Sequence, residues 1–444
     1  MPWFGLLCDM GRSGGIMVTL IKGGYVVNPA TGLEGVNDVL IVDETVAEIA
    51  PQIEREAHCI IDAAGKYVMP GFVDLHEHLR EPGFEYKETV ATGSMAAAAG
   101  GFTTICAMPN TNPVVDSRVM VEYLNYKAAE DSMINIIPVG AVTVGQRGER
   151  LADISGMAEA GALALSEDGK SVMNPLVYKE GMKKAAELGI VVLAHCEDRN
   201  LLDGGVMNAG KRADELGLPG ITNSVEDVVA ARDILLAKET GARLHLCHCS
   251  TADSVALVRF GKELGVKLSA EVCPHHFFMT EDEIPKKDAK DSANYKMNPP
   301  LRTKADVDAL IAGLADGTME VIATDHAPHS AEEKSKPFLE APFGIVGSET
   351  AFALSYTALV KEGHLTVRQL VEKMSTNPAR ILGIDKGDIS VGHIADLVIA
   401  DVGQSYTIDV NKFISKGKNS PFGGRTVYGK VLLTMVNGEV VYEI

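Results

Sequence analysis

Short apolar runs alternate with helix-like segments through the middle of this chain of 444 residues. Eight of these runs have the length and composition of buried strands, namely residues 71–76, 103–108, 134–142, 162–166, 190–195, 243–248, 267–273 and 320–324. Segments such as "NPLVYKEGMKKAAELG" and "SVEDVVAARDILLAKETG" separate them. Eight strands alternating with helices over roughly 250–300 residues predict an α/β fold, a (β/α)8 TIM-like barrel. An open doubly wound sheet is the alternative, but no GxGxxG turn opens the first βα unit.

The two ends of the chain have a different sequence pattern from the middle. Short β-rich pieces separated by turn residues occur in "LIKGGYVVNPATG" near the start and in "GKVLLTMVNGEVVYEI" at the end, where Asn437-Gly438 is a strong hairpin signal. We therefore predict a small β-sandwich domain built from both termini, residues 17–69 and 385–444, beside a barrel domain of residues 70–384. Residues 1–16 lack the features of a signal peptide and are predicted to be a disordered extension.

Charge and cysteine content exclude some classes of protein. A net charge of −19 argues against general nucleic-acid binding, although a local basic pocket could still bind a small anion. No apolar run approaches the length of a membrane span. The seven cysteines are scattered and form no CxxC pair, which is typical of reduced, buried thiols in a cytoplasmic protein.

Metal-binding side chains stand at the carboxyl ends of five predicted strands, where the functional groups of a barrel converge. They are His76, His78, Asp168, His195, His248 and Asp325. Because His76 and His78 are two residues apart, both point to the same side of an extended strand, whereas Glu77 points away. Imidazole and carboxylate together suit zinc or a similar divalent ion, and six donors suit two ions that share a carboxylate and a hydroxide. His245 lies on the other side of its strand from His248 and is interpreted as structural.

Several motifs resemble the dihydroorotases of the amidohydrolase superfamily. They are "PGFVDLHEHLREPG", "LSEDG", "AHCED", "HLCHCST", "AEVCPHH", "YKMNPPLR" and "IATDHAPH", which lie in family order from about residue 70 to 350. The resemblance implies a zinc hydrolase that reversibly interconverts N-carbamoyl-L-aspartate and (S)-dihydroorotate in pyrimidine biosynthesis, with a metal-bridging hydroxide as nucleophile.

The resemblance also implies roles for the six donors and two zinc ions per subunit, with the occupancy of the second site left open. One ion would be held by His76, His78 and Asp325, the other by His195 and His248, with Asp168 as the bridge. Asp325 would also be the general acid/base. Many relatives bridge with a carboxylated lysine, but "LSEDGK" resembles the bacterial class with an aspartate there. Lys170 falls past the strand end and is the less favoured bridge.

Substrate contacts are implied in the same way. Arg80 offers a planar fork for the carboxylate of dihydroorotate. The other expected substrate contacts are His78, Asn110, Asn298, His329, Phe343 and Gly344, of which Asn298 would bind the ring amide and Phe343-Gly344 would contribute backbone groups. The family suggests a homodimer or a complex with aspartate transcarbamoylase. The alternatives are another cyclic amidase (a dihydropyrimidinase, hydantoinase or allantoinase) and a non-catalytic scaffold for aspartate transcarbamoylase.

Overall fold

The computed structural model describes residues 7–8 and 15–444. Among these, eight parallel strands are arranged in chain order around a nearly closed barrel. Barrel strands 1–8 are, in order, Phe72–Glu77, Phe102–Ala107, Asn135–Ala141, Ala164–Ser166, Val191–Ala194, Arg243–Leu246, Leu268–Val272 and Val321–Ile322. No strand extends more than one residue beyond its predicted run, and the predicted fold class is confirmed.

Barrel strands 8 and 1 meet through a few specific bonds. The backbone N–H of His78 donates to the carbonyl of His326 at 2.9 Å, and the Thr324 hydroxyl donates to Asp74 Oδ2 at 2.6 Å. Strand 8 is shorter than the predicted run 320–324, because Thr324 bonds to a side chain of strand 1 and Asp325 turns to a φ of 46°. That turn leaves Asp325 at the carboxyl end of the barrel.

Helices connect the barrel strands and pack against them. Strands 1–7 are followed respectively by Val90–Ala99, Arg118–Asp131, Ile154–Glu159, Pro175–Leu188, Ser224–Thr240, Ala252–Glu263 and Lys304–Ala315. After strand 8 come the helices Ala351–Ser355, Val367–Val371 and Asn377–Leu382, with π-helical turns at Tyr356–Val360 and Glu372–Thr376. Threonine side chains cap several helices, among them Thr89, Thr251 and Thr303. Of the helices in the described residues, none is long and apolar enough to cross a membrane.

Short elements lie in the remaining connections. They are the helices Lys211–Leu216, Pro274–Phe278 and Ala331–Lys334, the 3-10 turns Val144–Gln146, Glu281–Glu283, Ser292–Tyr295, Ser348–Thr350 and Val410–Lys412, and the strand pair Met207–Asn208 and Gly220–Ile221.

Residues from both termini form a second, mixed sheet. Within the described part of the chain it has nine strands, Leu7–Cys8, Val18–Asn28, Leu33–Val42, Thr45–Ala50, Cys59–Asp62, Tyr67–Pro70, Leu397–Thr407, Thr426–Val436 and Glu439–Glu443. The last two are joined by the predicted hairpin turn, where Asn437 and Gly438 have φ of 51° and 76°. Most of the predicted disordered extension, residues 1–16, lies outside the described residues, but Leu7–Cys8 pairs with Cys59 and Ile60.

One glycine joins the terminal sheet to the barrel. Strand Tyr67–Pro70 continues through Gly71 directly into barrel strand 1. A Cβ at Gly71 would lie 2.2 Å from the side chain of Thr103, so only glycine allows this approach to strand 2. The junction therefore fixes the start of the strand that carries His76.

Five cysteines of the described chain are free and buried, in agreement with the predicted reduced thiols. They are Cys106, Cys196, Cys247, Cys249 and Cys273. Cys59 is disulfide-bonded, which corrects the expectation of reduced thiols throughout.

Candidate metal centre

The six predicted donor side chains meet at the carboxyl end of the barrel. Each is at most 7% exposed. They come from the ends of strands 1, 4, 5, 6 and 8, which are far apart in the sequence but end at the same mouth of the barrel: His76, His78, Asp168, His195, His248 and Asp325. The structure thus brings together all the side chains that the sequence pattern singled out.

Asp168 lies at the middle of this cluster. Its Oδ1 is 3.2 Å from His76 Nε2, 3.3 Å from His195 Nδ1 and 3.7 Å from His248 Nε2. Its Oδ2 is 3.5 Å from His78 Nε2. Burial alone would raise the pKa of Asp168, but His76, His195 and His248 lower it well below the usual range. One ionised carboxylate therefore faces four imidazoles, as a bridging ligand must.

Asp325 lies on the side of the cluster formed by strand 1. Its Oδ1 is 3.3 Å from His78 Nε2 and 3.5 Å from His76 Nε2. Burial would raise the pKa of Asp325, but the His78 hydrogen bond and the nearby His76 and His248 lower it below the usual range. The carboxylate is thus ionised.

Neighbouring acceptors determine which imidazole nitrogens carry protons. His76 Nδ1 is 3.1 Å from Glu271 Oε1, and His78 Nδ1 is 2.9 Å from Asn110 Oδ1. The amide orientation of Asn110 is set because its Nδ2 donates to Asp168 Oδ2 at 3.1 Å. Both Nδ1 atoms must therefore be protonated when the rings are neutral, which leaves the Nε2 lone pairs directed at carboxylate oxygens.

Imidazole lone pairs and carboxylate oxygens repel each other at these distances unless a positive charge lies between them. His76 Nε2 and His195 Nε2 are buried without a hydrogen-bond partner in the described residues. His195 Nδ1 is only 2.8 Å from His248 Nε2. Burial alone would lower the pKa of His195, but Asp168 and Glu197 raise it to about 10, a measure of the local demand for a cation. These residues fit bound divalent ions, for which the second nitrogen of each ring is commonly fixed by a hydrogen bond.

Four groups of donors in the described chain have the spacing of metal sites, and two of them consist of predicted ligands. His76, His78 and Asp325 each offer one atom, and these atoms lie within 4.8 Å of one another. The same holds for His76, Asp168 and His248. Nitrogen and oxygen donors in such groups suit zinc and other first-row divalent ions.

Glu271, on barrel strand 7, is a functional residue that the sequence pattern missed. Besides facing His76, its Oε1 accepts from the backbone N–H of His248 at 3.1 Å, and its Oε2 lies 2.9 Å from His245 Nε2. His245 is held in turn by Ser269, with 2.8 Å between Nδ1 and Oγ. His245 thus supports the cluster through Glu271. Two polar residues at alternate positions of a buried strand, Ser269 and Glu271, were the available signal.

The predicted substrate-contact residues surround the mouth of the cluster. Arg80 has a φ of 62°, and its Nε donates to the carbonyl of Pro328 at 3.2 Å. His329 Nε2 donates to the carbonyl of Phe343 at 2.7 Å, since its Nδ1 accepts from Lys87 Nζ at 3.3 Å. Burial and the charges of Arg80, Lys334 and Lys87 lower the pKa of His329 to about 2, so its imidazole is neutral.

The remaining predicted contacts also lie near the cluster. Asn298 Nδ2 donates to Glu197 Oε2, and Glu197 Oε2 is 3.9 Å from His195 Nε2. Gly344 follows Phe343 with a φ of 129°, and a Cβ there would lie 3.0 Å from His329 Nε2. Glu77, predicted to point away, is fully buried and accepts from the Ser348 hydroxyl at 3.1 Å.

Known proteins with similar sequences include several dihydroorotases. Residues 65–254 match the family model described as Dihydro-orotase-like. The dihydroorotase of Acetivibrio thermocellus is 50% identical over 422 residues, covering 95% of this chain and 98% of that protein. A dihydroorotase of Staphylococcus aureus is 47% identical over 425 residues, covering 96% and 99%.

Solved structures with the same fold include other cyclic amidases. A dihydropyrimidinase from Brevibacillus agri matches with a TM-score of 0.84 and 26% identity, covering 96% of this chain and 95% of that chain. An L-hydantoinase from Arthrobacter aurescens matches with a TM-score of 0.84 and 28% identity, covering 96% of each. Sequence identity to the dihydroorotases is near one half over nearly the full length of both chains, whereas identity to these amidases is about a quarter. This difference favours the dihydroorotases over the other cyclic amidases. The chain therefore belongs to the dihydroorotase family.

Proposed function

We propose that this chain is a dihydroorotase, which reversibly interconverts (S)-dihydroorotate and N-carbamoyl-L-aspartate in pyrimidine biosynthesis. The observation that carries the proposal is a buried cluster of imidazoles and carboxylates around Asp168, suited to divalent ions, with an arginine, Arg80, beside it. Such a site can polarise an amide carbonyl and bind a carboxylate of the same small molecule. The activity named for relatives at 47–50% identity supports this assignment.

The cluster is proposed to hold two divalent ions, with zinc as the first candidate. His76, His78 and Asp325 would hold one ion, and His195 and His248 the other, with Asp168 between them. When bound, such a pair lowers the pKa of a water so that it attacks at neutral pH, and it polarises the carbonyl under attack. Second-site occupancy remains a prediction from the family resemblance.

Asp325 is the proposed proton carrier. Its ionised carboxylate would accept the proton of the attacking water and return it to the ring nitrogen that leaves when the amide bond breaks. In the direction of ring closure the same carboxyl would take the proton of the attacking ureido nitrogen.

Recognition of the substrate is assigned to the polar groups around the mouth. Arg80 would pair with the ring carboxylate through its fork, and Asn110 and His329 would flank it. Asn298 would bind the ring amide, and the backbone of Phe343 and Gly344 would cover the ring. Asn110 also touches both His78 and Asp168, so it would couple substrate binding to the geometry of the cluster.

Substrate choice separates dihydroorotase from the other cyclic amidases of this fold. Purified protein should be assayed with dihydroorotate, dihydrouracil, hydantoin and allantoin, with zinc content measured on the same sample. We expect turnover of dihydroorotate and at most weak turnover of the other three, which lack the ring carboxylate. Turnover of those three alone would reject the proposal, and a metal-free, inactive chain that binds aspartate transcarbamoylase would favour the scaffold alternative.

Replacing Arg80 with methionine should raise KM for dihydroorotate by about 10- to 100-fold, with a smaller fall in kcat. Losing a charge-assisted pair costs about 1.5–3 kcal/mol, and the pair exists in both ground and transition states. Arg80→Lys keeps the charge without the fork and should fall between wild type and Arg80→Met. Steady-state kinetics of the three proteins measures this; an unchanged KM in Arg80→Met would show that the carboxylate binds elsewhere.

Assembly and cellular location stay predictions from the family resemblance and the cysteine pattern. A homodimer, or a complex with aspartate transcarbamoylase, is expected, and the expected location is the cytoplasm. Light scattering of the purified chain, alone and with aspartate transcarbamoylase, measures the assembly directly.

A further inference from the structure

A buried asparagine near the carboxyl terminus contacts the loops at the mouth of the barrel. Asn419 is 3% exposed and lies between the turn Val410–Lys412 and the strand Thr426–Val436. Its Oδ1 accepts from the backbone N–H of His329 at 3.1 Å. Its Nδ2 donates to the carbonyls of Ala327 at 3.2 Å and Gly344 at 3.0 Å.

These bonds join two loops that carry proposed substrate contacts. One loop follows barrel strand 8 and presents His329, and the other presents Phe343 and Gly344. The backbone carbonyl of Asn419 also accepts from the N–H of Val346 at 3.0 Å, so this one residue bonds to the main chains of both loops. The two loops also bond to each other directly, between His329 Nε2 and the Phe343 carbonyl at 2.7 Å and between the Ala327 N–H and the Ile345 carbonyl at 2.8 Å. Asn419 therefore adds a third segment to a contact between the two loops.

The segment that carries Asn419 is itself firmly anchored. The N–H groups of Ile414 and Ser415 donate to Glu349 Oε1 at 2.9 and 3.1 Å, and the Ser415 hydroxyl donates to buried Glu88. A Cβ at Gly417 would lie 2.8 Å from the side chain of Pro328 and 2.7 Å from Asn419 Oδ1. Close packing and hydrogen bonds to the carboxylates of Glu349 and Glu88 therefore give Asn419 a fixed position.

We propose that Asn419 is a positioning residue that sets the width of the substrate pocket by clamping the His329 loop to the Phe343–Gly344 loop. The inference rests on the proposed function, because these loops are assigned to dihydroorotate. Only an amide satisfies all three partners: two carbonyls need donors and one N–H needs an acceptor. A carboxylate at position 419 would face two carbonyl oxygens without a proton to offer.

The chain offers a matched control in Asn135, at the amino-terminal end of barrel strand 3 and thus on the face opposite the cluster. Its Nδ2 also ties separate segments together, donating to the Thr103 carbonyl at 2.9 Å and to Asp396 Oδ2 at 3.2 Å. Asn419→Asp and Asn135→Asp therefore remove the same donor group, in one case at a buried site beside the mouth of the barrel and in the other at a half-buried site on the opposite face.

Kinetics and hydrogen exchange should be measured on the metal-loaded full-length chain. We expect Asn419→Asp to raise KM for dihydroorotate roughly tenfold with unchanged zinc content and a smaller change in kcat, whereas Asn135→Asp keeps the wild-type KM. Both variants should lower Tm. Amides of residues 326–330 and 343–347 should exchange roughly tenfold faster in Asn419→Asp only.

The two readouts separate this inference from the proposed function. If wild-type protein does not turn over dihydroorotate, the function is rejected, while the exchange pattern still tests the clamp. A wild-type KM together with wild-type exchange in Asn419→Asp would overturn the inference. Should Asn419→Asp not fold, Asn419→Ser, which adds no charge, is measured in the same way against Asn135→Ser, with the same outcomes.

Discussion

Replacing Asp325 with asparagine should lower kcat for dihydroorotate by about 10²–10⁴-fold, the usual contribution of a positioned acid/base, while much of the bound metal remains. The amide oxygen could still face a cation from the position that Oδ1 occupies beside His76 and His78. It cannot accept and return a proton. The effect should therefore appear in kcat in both reaction directions, with KM changed much less.

Two measurements decide the Asp325 prediction. Metal analysis of Asp325→Asn tests whether the loss is chemical, and the pH dependence of kcat tests whether an ionisable group has been removed. Asp233, a buried aspartate paired with Arg232 on an outer helix, provides the control, since Asp233→Asn should affect stability and leave kcat within a few-fold. Near-normal turnover in Asp325→Asn would remove this residue as the acid/base.

The barrel and the six donors were predictable because both follow from local periodicity. A buried parallel strand reads as a continuous apolar run, and its last residues point into the mouth. His76 and His78 show a period of two, and Asp168, His195 and His248 each follow such a run. The predicted length of strand 8 was too great, because the Thr324 side chain bonds to Asp74 of strand 1 and the main-chain pairing of strand 8 ends before this residue.

Residues that act through other residues were not predictable from the sequence. Glu271 sits inside a run that looks like an ordinary strand, and its importance depends on strands 1 and 6 presenting His76 and His248 to it. Asn419 is about 90 positions from its partners His329 and Ala327 in the chain. Such contacts depend on how segments far apart in the sequence pack together, which no local pattern encodes.

The bridging position should be even less tolerant of change than the acid/base. Asp168→Asn should lose most of the bound metal and reduce kcat by about 10⁴-fold or more, since in the proposed centre both ions would share this one carboxylate. Oδ1 of Asp168 lies near the imidazoles of His76, His195 and His248, and Oδ2 lies near that of His78. An asparagine amide would direct its N–H group at some of these imidazole nitrogens. It would also supply no negative charge to offset the two proposed cations.

The preceding residue provides a matched control for this substitution. Glu167 is also buried at the end of strand 4, but it accepts from the backbone N–H groups of Val142 and Thr143 at 3.0 and 3.1 Å. Glu167→Gln should lower Tm and leave the metal content of the cluster unchanged. Zinc measured per chain, together with kcat and Tm, therefore distinguishes a damaged fold from a lost bridge. A full metal complement and normal turnover in Asp168→Asn would mean that the two ions do not share this carboxylate, and the bridged arrangement would have to be abandoned.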